Sequence, residues 1–131
     1  MAERGRVEGA GVPLILRIDH VQLAAPAGCE EKARWFYGEL LGLEEIEKPP
    51  ELRSRGGCWF RCGPHQLHIG VEKDFRPARK AHPALAVADL DGLRSRLETS
   101  GIATQDDPLP GVLRFYAHDP WGNRLEFVAA P

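Results

Sequence analysis

The sequence predicts an α+β fold in which two copies of one βαβββ module follow each other along the chain. Similar segments recur at a near-constant offset, since His20 and His82 lie 62 positions apart. The corresponding offset between His68 and Glu126 is 58 positions. A repeat of this kind indicates two copies of one structural unit. A unit of roughly sixty residues buries little surface and would be only marginally stable alone, so the two modules are expected to share a core or a site.

Composition excludes two broad classes of function. The chain has 131 residues, with 17 basic and 19 acidic side chains and a net charge of −2. This balance does not favour nucleic-acid binding, which requires a basic face. No apolar run approaches the roughly twenty residues of a membrane span. The expectation is a single cytoplasmic domain.

Residues 1–13 are expected to form a disordered leader, because they contain three glycines and no apolar core. They do not resemble a signal peptide. Three cysteines, an odd number, argue against a disulfide framework and fit a reducing cytoplasm. We interpret these cysteines as small, buried hydrophobic residues.

The first module is predicted to span residues 14–72. Its opening run is rich in Ile, Leu and Val, as expected for a strand. A helical stripe of apolar residues follows and ends at Gly42, a typical C-terminal cap. The predicted strands are 14–25, 43–47, 57–62 and 66–72, and the predicted helix is 29–41.

A polar linker at residues 73–80 separates the first module from the second, which is predicted to span residues 81–131. Asp89 is expected to cap its helix and Gly101 to end it. The sequence from Asp119 to Asn123 is a strong turn signal before the last strand. The predicted strands of this module are 81–88, 103–106, 112–117 and 124–129.

The alternation of side chains along four strands predicts a shared polar cup. In each strand, aliphatic residues point to one face and one candidate metal ligand points to the other. Three imidazoles and one carboxylate in such a cup could bind a divalent transition metal. The candidate ligands are His20, His68, His82 and Glu126. A lone histidine on a strand is more often structural, but four repeat-equivalent positions are harder to explain in that way.

Four further residues are expected to line the same cup. Trp59 and Tyr116 could form an apolar wall for a substrate, or simply pack within the sheets. Arg61 and Arg114 could bind an anionic substrate group, or remain solvated at the rim. A charged linker containing Arg76 could act as a lid over such a ligand, although charge runs in linkers are usually only solvated.

The chain resembles the vicinal oxygen chelate superfamily, which includes glyoxalase I, methylmalonyl-CoA epimerase, extradiol dioxygenases, and fosfomycin- and bleomycin-resistance proteins. The resemblance covers about residues 14–128. The motifs that carry it are Ile18-Asp19-His20-Val21, Phe36-Tyr37-x-x-Leu40-Leu41-Gly42-Leu43, His82 with residues 84–91, and Asp119-Pro120-x-Gly122-Asn123-x-Leu125-Glu126-Phe127. The resemblance implies paired βαβββ modules that form a cup-shaped mixed sheet with helices on its convex face. It also implies a homodimer, and in some members one cup takes modules from both chains.

The family's metal positions map onto His20, His68, His82 and Glu126. The departure is at His68, where glyoxalase I usually has Glu and the epimerase Gln. His68 is therefore either a fourth ligand or an acid/base group. The sequence does not choose among Zn, Ni, Fe, Mn and Co.

Three functions remain open at this stage, and a fourth, thiol transfer to an antibiotic of the fosfomycin type, is disfavoured because the sequence contains no recognisable potassium-loop or thiol-binding motif. The first is a metal-dependent isomerase or lyase that acts on a small oxygen-rich substrate, with Glu126 as a base that removes a proton next to a carbonyl. The second is an extradiol-type dioxygenase with His20, His82 and Glu126 as ligands and His68 as the catalytic acid/base. The third is a binding protein of the bleomycin-resistance type that sequesters a drug or metabolite.

Overall fold

The structure is a computed structural model that describes residues 11–131, so most of the expected leader lies outside the described residues. None of the described helices combines the length and the apolar character needed to cross a membrane. The strands are β1 (His20–Ala25), β2 (Glu44–Ile46), β3 (Cys58–Cys62), β4 (His65–Val71), β5 (Ala84–Val87), β6 (Gln105–Asp106), β7 (Arg114–His118) and β8 (Arg124–Ala129). The helices are α1 (Glu30–Ala33), which continues as a π-helix over Arg34–Leu40, a 3₁₀ helix (Pro50–Arg55) and α2 (Leu90–Thr99).

Two four-stranded mixed sheets form, one from each module. Their strand orders are β1-β4-β3-β2 and β5-β8-β7-β6, so the second sheet repeats the topology of the first. In each sheet the first and last strands of the module pair in parallel, and the other pairs are antiparallel. The predicted α+β fold of two tandem βαβββ modules is confirmed.

The first strand is shorter than predicted. Its pairing with β4 starts at His20, which lies opposite Gln66. Since β4 itself begins at His65, the apolar residues before His20 have no neighbouring strand to pair with. Leu14 and Ile15 are instead 100% and 83% exposed. The Ile- and Leu-rich residues 14–19 therefore do not form the predicted strand, because a strand also needs a neighbouring strand to pair with.

The helix of the first module widens after its first turn. The amide of Leu41 donates to the carbonyl of Phe36, five residues earlier, as in a π-helix. This winding buries Phe36, Tyr37 and Leu40 together against the first sheet. Gly42 follows with φ of 78°, a conformation that favours glycine, so the predicted helix end is confirmed.

The core lies between the sheets and their helices. Its largest members are aromatic side chains with less than 2% exposure. Cys29 and Cys58 are buried among them, and burial raises the pKa of the Cys58 thiol to about 11. The thiol is therefore protonated at neutral pH and packs as a small hydrophobic group. The aromatic residues are Phe36, Tyr37, Phe60, Phe115 and Phe127.

The turn before β8 is a buried polar junction between the modules. Asp119 and Asn123 are 5% and 1% exposed. Asp119 Oδ1 accepts from the amides of Trp121 and Asn123, at 3.0 and 2.9 Å. Asn123 Nδ2 donates to the carbonyl of Ala24 in β1 at 2.8 Å, and its Oδ1 accepts from the amide of Ala78 in the linker at 3.0 Å. The junction fixes the start of β8 relative to both the first sheet and the linker.

Candidate metal centre

The first sheet presents two of the four candidate ligands side by side. The rings of His20 and His68 stack with centroids 4.2 Å apart. The ring of Trp59 stacks on His68 at 3.8 Å, within 3° of parallel. This arrangement follows from the register, in which Trp59 lies directly opposite His68 on adjacent strands. His68 is 3% exposed, whereas His20 is open to solvent.

Each of these imidazoles has one nitrogen held by an oxygen acceptor. His20 Nδ1 lies 2.9 Å from Asp19 Oδ1, and His68 Nε2 lies 2.8 Å from Gln66 Oε1. Such bonds orient histidine ligands in metal sites and leave the other nitrogen available. Burial, together with the neighbouring His20, lowers the pKa of His68 to about 4. His68 is therefore neutral at pH 7, the form that a ligand or a base requires.

The second sheet holds the other pair of candidate ligands. His82 Nε2 lies 2.9 Å from Glu126 Oε1. His82 Nδ1 lies 2.8 Å from the carbonyl oxygen of Lys80, which can only accept, so Nδ1 donates. His82 precedes β5 instead of lying in it as the sequence suggested, because β8 pairs only with residues 84–87. The ring is therefore held from two sides, at Nδ1 by the linker carbonyl of Lys80 and at Nε2 by Glu126 of β8.

Glu126 is held at its second oxygen by Arg114. The guanidinium donates from Nη1 to Glu126 Oε2 at 3.2 Å and from Nη2 to Asp107 Oδ2 at 2.9 Å. Burial alone would raise the pKa of Glu126, but the hydrogen bonds from His82 and Arg114 outweigh it and lower that pKa. The carboxylate is thus ionised at neutral pH, as a metal ligand must be.

The four candidate ligands form two separate pairs within one chain. Among residues 11–131, no group of three or more His, Cys, Asp and Glu side chains is close enough to bind one metal ion. The donor chemistry of three imidazoles and one carboxylate fits a divalent transition metal. The hydrogen bonds from His20 to Asp19 and from His82 to Lys80 also fit, because they resemble the outer partners of histidine ligands. The donor set fits a metal, and each sheet supplies half of it.

All four of the other residues expected in the cup are engaged by neighbours, and Trp59 stacks on His68 as described above. Arg61 Nε donates to Glu44 Oε1 at 3.3 Å on the exposed rim, and Arg114 binds Glu126 and Asp107. The ring of Tyr116 meets His82 edge-on, with centroids 5.3 Å apart. Trp59 and Tyr116 thus flank the two halves of the donor set, one in each sheet.

Sequence reasoning missed Arg124, whose guanidinium carbon lies 4.0 Å from the centre of the Tyr116 ring. A signal was present, because Arg124 is two residues before Glu126 and therefore points to the same face of β8. The roles of Asp19 and Gln66 beside the histidines were also missed. Both contacts are local, since Asp19 adjoins His20 in the chain and Gln66 lies two residues before His68 in β4.

Comparison with known proteins identifies the family. The sequence model of the Glyoxalase/Bleomycin resistance protein/Dioxygenase superfamily matches residues 17–127. The chain belongs to this superfamily. No functionally curated protein matches the sequence significantly.

Solved structures share the fold along nearly the whole chain. A protein of the glyoxalase family from Bacillus anthracis is 55% identical with a TM-score of 0.87, and the alignment covers 92% of this chain and 99% of that one. Lactoylglutathione lyase from Agrobacterium tumefaciens is 23% identical with a TM-score of 0.69, covering 90% of this chain and 96% of that one. The fosfomycin resistance protein FosX from Listeria monocytogenes, in a complex with Mn(II), is 18% identical with a TM-score of 0.74, covering 90% and 95%. The last two similarities concern the fold alone.

Proposed function

We propose that this protein is a metal-dependent glyoxalase-like enzyme that removes a proton next to a carbonyl of a small oxygen-rich substrate. The observation that carries the proposal is the pairing of His82 with Glu126, 2.9 Å apart in the second sheet. The pair repeats, at equivalent positions, the stacked His20 and His68 of the first sheet. Two equivalent pairs of metal-binding side chains are better explained by a shared centre than by separate structural roles.

The centre would be assembled from two chains, with His20 and His68 of one protomer and His82 and Glu126 of its partner. Support comes from the first sheet, where His20 is exposed to solvent and could meet a partner chain. The apolar segment before β1 also supports a dimer, because exposed apolar segments commonly mark contact surfaces. Its exposed side chains are Val12 (75%), Leu14 (100%), Ile15 (83%), Leu16 (74%) and Ile18 (65%).

Glu126 is the residue proposed to act as the base. When bound, the metal would supply a Lewis acid that stabilises negative charge on the substrate oxygen. His82 and Arg114 keep the carboxylate of Glu126 ionised and oriented, which allows it to accept a proton. Trp59 and Tyr116 would exclude water from the two sides of the site. His68, neutral at pH 7, would serve as a ligand or as a second acid/base group.

Metal analysis tests the centre itself. Purified wild-type protein is expected to contain about one transition metal per donor set of four, and His20→Ala/Glu126→Ala to contain none. An absence of metal in the wild type, even after reconstitution with each candidate ion, would contradict the proposal. Affinity for a drug or metabolite that chelators do not change would then indicate a sequestering protein.

A mixed dimer tests whether the site forms between chains. His20→Ala/His68→Ala and His82→Ala/Glu126→Ala chains, each with a different tag, are co-expressed and purified as a heterodimer. If the site forms between chains, the heterodimer has one intact site and one empty site, whereas both homodimers have none. If the heterodimer binds no more metal than the homodimers, the proposed assembly is wrong.

Proton abstraction can be tested before the substrate is known. Metal-loaded protein is incubated in D₂O with pools of small carbonyl compounds, and loss of the C–H signal next to the carbonyl is followed by proton NMR. Wild type should exchange at least one compound, and Glu126→Gln should not. Oxygen consumption with catechols by the iron-loaded protein, without proton exchange, would instead indicate the dioxygenase.

His68→Ala separates the two roles left open for His68. Loss of metal retention indicates a ligand. Retained metal with loss of exchange indicates an acid/base group.

A further inference from the structure

Arg124 holds a positive charge beside the second half of the donor set. Its guanidinium carbon lies 4.0 Å from the centre of the Tyr116 ring. Tyr116 lies directly opposite Glu126 in the pairing of β7 with β8 and contacts His82 edge-on. Arg124 and Glu126 therefore point to the same side of one strand, with the Tyr116 ring next to both. The cation–π contact orients the guanidinium and leaves its N–H groups available.

The other two arginines of the two polar faces are already paired with acids. Arg114 binds Glu126 and Asp107, and Arg61 binds Glu44. Arg124 differs, because no carboxylate of residues 11–131 forms an ion pair with it. Within the described part of the chain, it is the guanidinium of the three that can bind an anion without first losing an acidic partner.

The linker adds further positive charge at the same place. The amide of Arg124 donates to the carbonyl of Ala78 at 2.9 Å, so the linker runs alongside the start of β8. Exposed basic side chains flank this attachment point at positions 76, 79 and 80. In a chain whose net charge is −2, this local excess of positive charge would attract anions and raise their local concentration.

We infer that Arg124 binds an anionic oxygen group of the substrate, a carboxylate or a phosphoryl group, while the reactive part of the substrate reaches His82 and Glu126. The planar guanidinium can donate two parallel hydrogen bonds to either group. The inference builds on the proposed function by naming the substrate class. Binding of the anion itself needs no metal, so it can be tested separately.

The test is an NMR titration of metal-free protein at constant ionic strength. The probes are acetate and methylphosphonate, with the uncharged acetamide and dimethyl methylphosphonate as controls, and the signals followed are the arginine Nε–Hε groups. Arg124→Gln removes the proposed contact. Arg55→Gln, an exposed arginine of the 3₁₀ helix in the first module, removes the same charge elsewhere.

The wild type should bind at least one anion and neither neutral probe, and the Arg124 signal should shift. Arg124→Gln should weaken binding about tenfold or more, as expected when one charge-assisted hydrogen bond is lost. Arg55→Gln should bind like the wild type. The probe that binds more tightly distinguishes a carboxylate from a phosphoryl substrate.

Three results would overturn the inference: no anion binding by the wild type, unchanged binding by Arg124→Gln, or an equal loss in Arg55→Gln. If Arg124→Gln does not fold, Arg124→Lys decides, since it keeps the charge but not the planar fork. Its binding should be several-fold weaker than in the wild type, and equal binding would contradict the inference. Because the titration uses no metal, failure here leaves the metal analysis unaffected, and the reverse also holds.

Discussion

The hydroxyl of Tyr37 donates a hydrogen bond to Asp119 Oδ2 at 2.8 Å, joining two residues that lie 82 positions apart. Asn123 Nδ2 donates to the same oxygen, also at 2.8 Å. Burial and the adjacent Asp119 raise the pKa of Tyr37 well above its ordinary value, so the hydroxyl keeps its proton and remains a donor. This contact ties the helix of the first module to the turn that precedes β8. The position of Glu126 therefore depends on a residue of the other module.

Removal of this hydroxyl should destabilise the protein without changing its shape. Tyr37→Phe leaves a buried carboxylate oxygen with one donor fewer, which should lower the free energy of unfolding by about 1–3 kcal/mol. Urea denaturation followed by circular dichroism measures the change. A double-mutant cycle with Asp119→Asn should show a coupling energy of at least about 0.5 kcal/mol. Purely additive effects would show that the contact does not contribute.

The carboxylate of Glu30 should give the stability a specific dependence on pH. Its Oε2 accepts from the amide of Gly57 at 2.6 Å, and this bond lowers the pKa of Glu30 below its ordinary 4.5. Because the folded pKa is the lower one, the stabilisation is complete above the unfolded value and is lost as the pH falls through the folded value. Glu30→Gln should therefore cost about 1 kcal/mol at pH 7 and almost nothing in strong acid.

Denaturation of wild type and Glu30→Gln at pH values from about 2 to 7 measures this difference in the free energy of unfolding. Most carboxyl groups titrate within about this range. The neighbouring, exposed Glu31 provides the control, and Glu31→Gln should show a much smaller dependence on pH. A constant difference between wild type and Glu30→Gln at every pH would contradict the argument.

Gly57 should tolerate no side chain. Its φ is 88°, and an added Cβ would lie 2.1 Å from the carbonyl oxygen of Ile69 in the adjacent strand. Gly57→Ala should cost about 3 kcal/mol or more, because the backbone of β3 or β4 must shift. Gly63 also has a positive φ, of 57°, but has no atom within 4 Å of the added Cβ. Gly63→Ala should cost only about 1–2 kcal/mol. Equal thermal denaturation midpoints for the two variants would refute the steric explanation.

Asp19 should affect metal affinity through His20. Its Oδ1 lies 2.9 Å from His20 Nδ1 and orients the ring so that the other nitrogen is available. Asp19→Ala should weaken metal binding about tenfold, at the lower end of the effects of such outer partners, because the pair is exposed to solvent. Competition with a metallochromic chelator measures the affinity. Asp91→Ala, which removes an equal charge from the exposed side of α2, should leave it unchanged.

The order of helices and strands along the chain could be predicted from the sequence because it depends on local patterns, whereas the order of strands within each sheet came only from the structure. Asp89 caps α2 by accepting from the amide of Gly92 at 3.0 Å, as predicted. The last strand has the predicted bounds, Arg124–Ala129. Alternation of apolar and polar residues also correctly predicted that Trp59 and His68 share one face. Such features are encoded within a few neighbouring residues.

The partners of polar side chains could not be predicted in the same way. Arg114 looked like a residue available for substrate until the structure placed Asp107 and Glu126 against it. Arg124 was overlooked, although the structure leaves it beside Tyr116 and without an acidic partner in residues 11–131. Whether an ion pair forms depends on the register between strands and on the path of loops. Neither can be predicted from the residue type alone.

By itself, the sequence determined the duplicated βαβββ architecture and the four candidate ligands, because periodicity and repeat offsets are properties of the chain. Only the tertiary structure decided that those ligands form two pairs, His20 with His68 and His82 with Glu126, in separate sheets. The physical reason is that the contacts of each pair form within one module, either between neighbouring strands or next to the end of a strand. Contacts between sheets depend on how the modules pack, and here the buried hydrogen bonds of Asp119 and Asn123 link the modules.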